Sequence, residues 1–353
     1  MLSNSPCSPA RGAGMLAALA LTAAVVAGPP ARGQDALGPL LAKAKQEGAV
    51  NIFMGTARYP ESAANQLAQA FTAKFGIPIK VTLVAPGPHP SIVQQVIAET
   101  KSGVRPALDL FPTALSLLLP MRDVGAVAKV DWAALGVPAK QIGPPGDNVQ
   151  ISTIARNIIY NTNLVKKDEA PKQIQDLTDA KWKGKIVAPA LGDIFSVMGV
   201  PVIGEPATVE LVRKLATDQK ISLVQSVTDV GTKVANGEFA LGIGVPADWT
   251  GLRKKGAPVD NAPLQKVSGQ PFQAVVLANA EHPAVATLMT YFVCCTPEGE
   301  KALYETIGWA NFDTPNTEPY EIGGNGRGIN PSYEFQTKDQ ARISRELAKI
   351  LGL

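Results

Sequence analysis

The sequence predicts an α/β protein of two lobes, with a late segment that returns from the second lobe to the first. Three observations carry this. Short apolar runs alternate with amphipathic stretches at helical spacing, the pattern of a parallel sheet covered by helices. The alternation stops at a loop, GPPGDN at 143–148, and then begins again. Finally, 353 residues exceed what one ordinary core organises.

Each element can be justified in order. ALGPLLAKAKQEGAV (36–50) places Leu37, Leu40, Leu41 and Ala44 on one helical face, with Gly48 as the stop. VNIFMG is a short apolar strand. ESAANQLAQAFTAKFG is an amphipathic helix with Leu67, Ala70, Phe71 and Phe75 inward and Gly76 past its end. IPIKVTLVA is a strand, SIVQQVIAETKSG a helix and ALDLFPTA a strand. The second set has strands QISTIARNIIYN, KIVAPA and FALGIGV, with helices such as PATVELVRKLATD between them. A further strand, FQAVVLANA, leads into helical spacing from His282 onward, and an amphipathic helix, TKDQARISRELAKILG, closes the chain.

Composition narrows the function classes. Hydrophobic residues make up 46% and charged residues 18%, values of a globular protein. The net charge is +3, and the first 33 residues hold Arg11 and Arg32 but no acid, so without them it falls to about +1. That balance excludes an electrostatic nucleic-acid binder. The opening reads as a signal peptide over 1–33: Arg11, an apolar core from Met15 to Gly28, Gly-Pro-Pro, and small residues at Ala31 and Gly33 before a mature start at Gln34 or Asp35. The core is shorter than a bilayer span, and no later segment is long and apolar enough to make one. Cys7 precedes that core, which argues against a lipid anchor on it. The expectation is export to the periplasm as a soluble protein. Cys294 and Cys295 are adjacent, a pair that bridges only with strain, and they are expected as buried thiols.

The polar end of IIYNTNL (158–164) follows two isoleucines and fits either a cleft-facing strand end or an ordinary turn. Four stretches bear on this and on the whole chain: LAKAKQEGAVNIFMG with LAQAFTAKFGIPIKVTLV, IIYNTNLVKKDEAPKQIQDLTDAKWKGKIVAP, VANGEFALGIG with LRKKGAPVD, and LANAEHPAVATLMTYFVCCTPEGEKAL. Together they resemble the periplasmic solute-binding proteins of ABC importers, in the branch of ferric-ion, thiamine, polyamine and phosphonate binders. The resemblance runs from about residue 38 to the end, with Cys295 where the family usually has serine.

It implies a two-lobed type II periplasmic-binding-protein fold whose ligand cleft lies between lobes joined by two hinge strands, near 150–156 and 270–276. The N-terminal lobe would span 34–152 with a return segment 274–320, and the C-terminal lobe 153–273 with the C-terminal helix in 321–353. It further implies a monomer that hands a small-molecule solute to an ABC permease in the inner membrane, with no cofactor. A chemoreceptor sensor would look the same in sequence. On this reading the strand over 151–161 crosses between lobes and ends near the cleft, Tyr160 and Asn161 pin the crossing, and Arg156 lies beside the cleft.

The remaining candidates come from loops at the carboxyl ends of strands: Thr56, Arg58 and Tyr59; His89; Thr113; Asp193; Asp248 and Trp249. Helix N-termini with Arg58, His89 and Arg156 favour an acidic group. Asp193 and Asp248 favour an amine, so an acid or a zwitterion is expected, with Trp249 covering its body. Ferric binders of this branch carry two adjacent tyrosines where this chain has Pro246-Ala247, which makes a ferric site improbable, though ferric or another metal ion is the alternative cargo. An exported enzyme is the other alternative. GIGVPA matches GxGxxA with Asp260 18 residues beyond Gly242, but Pro246 interrupts the turn. His89 and His282 are the only histidines, and neither HExxH nor GxSxG occurs. No catalysis and no resident metal are therefore expected.

Overall fold

The structure, a computed structural model, describes residues 32–55 and 59–353, with the side chains of 32–35, 227 and 248 left aside. The proposed signal peptide thus lies almost wholly outside the described residues. Arg32–Leu353 forms one compact unit.

The strands, in chain order, are β1 (Ala49–Phe53), β2 (Lys80–Val84), β3 (Leu110–Ala114), β4 (Ile142–Gly143), β5 (Asn148–Ala155) and β6 (Asn157–Asn161). They continue as β7 (Ile186–Pro189), β8 (Ser222–Val224), β9 (Leu241–Gly244), β10 (Val259–Asn261), β11 (Val267–Val276) and β12 (Gly328–Ile329). The first sheet runs β2-β1-β3-β11-β5-β4, with β12 paired to β11, and the second runs β10-β6-β9-β7-β8. β1, β2 and β3 are parallel, and β11 lies antiparallel between β3 and β5.

The first sheet is covered by α1 (Arg32–Glu47), α2 (Glu61–Phe75), α3 (His89–Ser102) and α4 (Leu115–Asp123). In α2, Leu67 and Phe71 are buried, Ala70 and Phe75 half-buried, and Gly76 ends the helix in the left-handed region, as its spacing predicts. The second sheet carries α5 (Gly192–Ile203), α6 (Glu205–Thr217), α7 (Val227–Ala235) and the short α8 (Thr250–Lys254). The return helices α9 (Pro283–Cys295) and α10 (Pro297–Ile307) join the first lobe's core. There the Glu47 carboxylate accepts the Ala284 and Val285 N–H groups at 3.0 and 2.8 Å, which closes the N-terminus of α9 from the end of α1. His282 stands at the N-cap of α9, and its ring Nδ1 lies 2.9 Å from the buried Asp109 carboxylate. Then α11 (Glu318–Gly323) and α12 (Gln340–Ile350) return to the second lobe, where Ile322, Ile343 and Leu347 enter its core.

The long strand expected over 150–161 is two strands in two sheets. β5 ends at Ala155, β6 starts at Asn157, and Arg156 is the residue at the crossing. Three details differ from expectation. All of β11 lies in the first sheet, so the second crossing falls between β10 and Val267 rather than at 270–276. Tyr160 and Asn161 do not pin the crossing, because β6 begins there and runs away from it. Asn157 pairs with Gly244 near the cleft loops, whereas Asn161 is four residues on, about 13 Å away. Its amide donates to the Val234 carbonyl at 2.6 Å and its oxygen accepts the Asn163 N–H at 2.8 Å. The polar tail of IIYNTNL is a turn. Lastly, Cys294 and Cys295 are bridged as a vicinal disulfide at the end of α9, not buried thiols.

Candidate functional site

A cavity of about 480 Å³ lies where the two lobes meet. The crossing strand, through Thr153, Ile154 and Ala155, lines it. The first lobe contributes Tyr59 and the segment after α10, with Trp309 most prominent, and the second contributes Pro246, Ala247, Thr250, Lys254 and Glu318. A wider chamber of about 710 Å³ adjoins it, shares Thr250, Lys254, Tyr304 and Glu318, and reaches Arg253 and Glu321.

On the first lobe the wall is largely aromatic and apolar, with the Glu305 carboxylate of α10 beside it. Gly308 ends α10 in the left-handed region and releases Trp309 toward the cavity. Trp309 packs edge-on to Phe272 at 5.5 Å between centroids, Phe272 to His89 at 5.7 Å, and His89 to Phe53 at 4.7 Å. The loop after β1 comes so close to His89 that a Cβ on Gly55 would lie 2.7 Å from its Cε1. Burial pushes the His89 imidazole below its ordinary pKa, against the smaller opposing effect of the Pro112 backbone, so the ring is neutral near pH 7. Tyr59 donates to the Ile307 carbonyl at 3.4 Å, and burial raises its phenol above the usual value. It therefore stays protonated.

On the second lobe the wall is charged. At the crossing, the Arg156 guanidinium is 8% exposed; its Nη1 donates to the Ile154 carbonyl at 3.2 Å, and its Nη2 lies 3.6 Å from the Asp193 carboxylate in the first turn of α5. Asp193 is far more open, at 44%. Glu318 accepts the Thr250 hydroxyl and the Asn261 amide, and lies 3.5 Å from Arg253. Arg253 also reaches Asp260 at 3.3 Å and Glu321 at 2.7 Å. Lys254, exposed at the rim, makes no ion pair among the described residues.

The sequence-expected residues are thus sorted. Tyr59 lines the cavity, His89 stands behind its wall, and Arg156 with Asp193 sits at the crossing beside it. Thr113 does not reach the surface: it is fully buried in β3 opposite Gln273. Trp249 is no lid. It is fully buried among Ile159, Val187, Val230, Val234 and Val259, and its indole N–H donates to Asn261 Oδ1 at 2.9 Å. An aromatic residue after a turn looked like a plane to close on ligand, but α8 folds it inward. Thr56, Arg58 and the Asp248 side chain lie outside the described residues. Gly242 of the GxGxxA match is a packing position, where a Cβ would meet Val230, Ile159 and Val234 within 3 Å.

Sequence reasoning missed Trp309, Thr250, Lys254 and Glu318. An aromatic residue directly after a helix-stopping glycine was the available signal for Trp309. Glu318 carried none, because it reaches the cavity through a return of the chain. Among the described residues no group of three or more histidine, cysteine or acidic side chains could hold a metal ion, and no helix is long and apolar enough to cross a membrane.

Comparison with known proteins agrees with this architecture. No curated protein sequence matches the chain. Among solved structures, iron-bound HitA from Pseudomonas aeruginosa is similar at 20% identity, with a TM-score of 0.64 over 86% of this chain and 99% of that one. AfuA from Actinobacillus pleuropneumoniae, with fructose-6-phosphate bound, gives 18% identity and 0.59 over 87% and 99%. A GABA receptor, Atu4243, gives 13% and 0.61 over 86% and 97%. These likenesses show the type II periplasmic-binding-protein fold. The family model for bacterial extracellular solute-binding proteins matches residues 66–317, most of the length, and the chain belongs to that family.

Proposed function

We propose that this protein is the exported solute-binding component of an ABC importer, capturing a small acidic or zwitterionic organic solute between its lobes and delivering it to an inner-membrane permease. The zwitterion is the better fit. The observation that carries this reading is the pairing of unlike walls around one 480 Å³ cavity, a volume typical of small-molecule sites. Trp309 and Ile307 offer an apolar face, while Lys254, Glu305 and Glu318 offer both signs of charge. Arg156, next in sequence to cavity-lining Ala155, supplies a guanidinium whose planar fork matches a carboxylate.

Pro246-Ala247, where the ferric binders of this branch carry adjacent tyrosines, argues against ferric iron held by a tyrosine pair. Membership of a solute-binding family supports binding as the work of this cavity. A solute touching both walls favours closure because only the closed form offers both sets of contacts. Export through residues 1–33 would place the protein in the periplasm, as a monomer.

Calorimetry with size-matched acids, amines and zwitterions tests the ligand class, and small-angle scattering tests closure. Zwitterions or acids are expected to bind and to reduce the radius of gyration. Binding of simple amines alone, or an unchanged radius with ligand bound, refutes the reading.

A further inference from the structure

Thr153 lines a second cavity besides the cleft, of about 360 Å³, in the seam between the lobes. Lys140, Gln141 and Gln150 bound it from the first lobe, and the segment from Tyr320 to Gly328 bounds it from the second. Its interior is a ring of carboxamides. Gln150 donates to Thr153 Oγ1 at 3.0 Å and to Asn311 Oδ1 at 2.8 Å, and accepts from Asn330 Nδ2 at 3.3 Å. Asn311 is only 9% exposed and its oxygen is also within 3.3 Å of the Thr153 hydroxyl, yet its Nδ2 has no partner among the described residues. A primary amide in a cavity wall, with hydrogens that solvent still reaches, can donate to an acceptor placed there.

The remaining wall is aromatic. Phe312, packed against the backbone of Gly323 and Gly328, and Tyr320, whose hydroxyl is bonded to Asn325, both border the cavity. The rim charges, Lys140 and Asp313, are paired with each other. The site is therefore neutral, rich in amide donors and acceptors, and faced by aromatic carbon.

We propose that this seam is a second binding site, distinct from the cargo cleft, for a neutral polyhydroxylated molecule such as a monosaccharide or a cyclitol. Hydroxyls match carboxamides, which both donate and accept, and the ring edges of Phe312 and Tyr320 offer carbon to the C–H groups of such a molecule. Because its walls come from both lobes, an occupant bridges Gln150 and the 320–328 segment beside the crossing strand.

Titration of glucose and of myo-inositol into the ¹⁵N-labelled mature chain tests this by amide chemical shifts. Saturating shifts are expected at 150–153, 311–313 and 323–330, with 246–254 unmoved. Asn330→Trp, an exposed rim position, fills the cavity and is expected to weaken these shifts at least tenfold while the melting temperature holds. Asn311→Asp removes the free N–H donors and is expected to weaken them as much. The proposal is overturned by absence of shifts at these residues in the unaltered chain, by shifts centred on 246–254 instead, or by titrations undiminished in a folded Asn330→Trp variant.

Discussion

The two faces of the cleft are built on different principles. The face from the first lobe is led by Trp309, backed edge-to-face by Phe272 and the neutral His89, with the Glu305 carboxylate beside it. The face from the second lobe and the crossing is a set of ion pairs, Arg156 with Asp193, and Arg253 with Asp260, Glu318 and Glu321. One face supplies mainly shape and contact area, and the other mainly orientation through charge. A lobe-to-lobe clamp of this kind discriminates when both faces must be satisfied at once, because each alone is tolerant. Apolar contact accepts many bodies, and an exposed ion pair accepts many partners.

The comparison can be broken most severely at Trp249, which belongs to neither face. Trp249→Ala removes a fully buried indole and leaves Asn261 short of a donor, so a loss of about 3–5 kcal/mol in unfolding free energy is expected from denaturant titration. Unchanged stability with lost binding would return Trp249 to the cleft. Next in size is Arg156→Ala. Removing a guanidinium that is buried at the crossing costs about 2–5 kcal/mol of binding when a ligand carboxylate loses its partner. Calorimetry should read at least a tenfold rise in Kd for an acidic or zwitterionic ligand, and normal affinity would mean that charge recognition lies elsewhere on that face.

Trp309→Ala tests the opposite wall. Ring contact contributes about 1 kcal/mol beyond buried area, so roughly a fivefold loss is expected, similar for ligands of either charge type. A loss confined to one charge type would show that the aromatic wall is not neutral in its selection. The smallest effect concerns pH. The folded-state pKa of His89 is lowered, so below its ordinary value near 6.5 the unfolded chain binds more protons than the folded one. Stability from this residue is full above pH 6.5 and declines as pH falls below it. Thermal melts between pH 7.5 and 5.5 should lose less stability in His89→Phe than in the unaltered chain. Equal slopes would mean that the ring is hydrated and unperturbed.

Much of the scaffold was legible because it rests on local periodicity. Leu67 and Phe71 point inward in α2 at the spacing that their positions require, and Gly76 ends that helix. Arg156 came from the family resemblance rather than from any local pattern, and it lies where the chain changes sheets. Glu318, Lys254 and Trp309 were not legible, because their convergence depends on the chain returning twice, after α10 and through α11. Thr113 and Trp249 misled for one shared reason: a strand end or turn fixes where the backbone is, not which way the side chain goes. The bridged cysteines were hidden by the same limit, since geometry at the end of α9 decides what spacing cannot.

The bond from Glu47 to the start of α9 has a further consequence for how the chain matures. The first helix is held by residues 284 and 285, and the second lobe is finished only by α12 at 340–350. Neither lobe can complete its core until nearly the whole polypeptide is available, so a chain emerging vectorially has no early stopping point. Such a polypeptide commits to structure late, which would keep it threadable in the export proposed above. A version ending at residue 276 should accordingly be digested by protease throughout its length, whereas a resistant fragment over 157–264 would show that the inner lobe folds unaided.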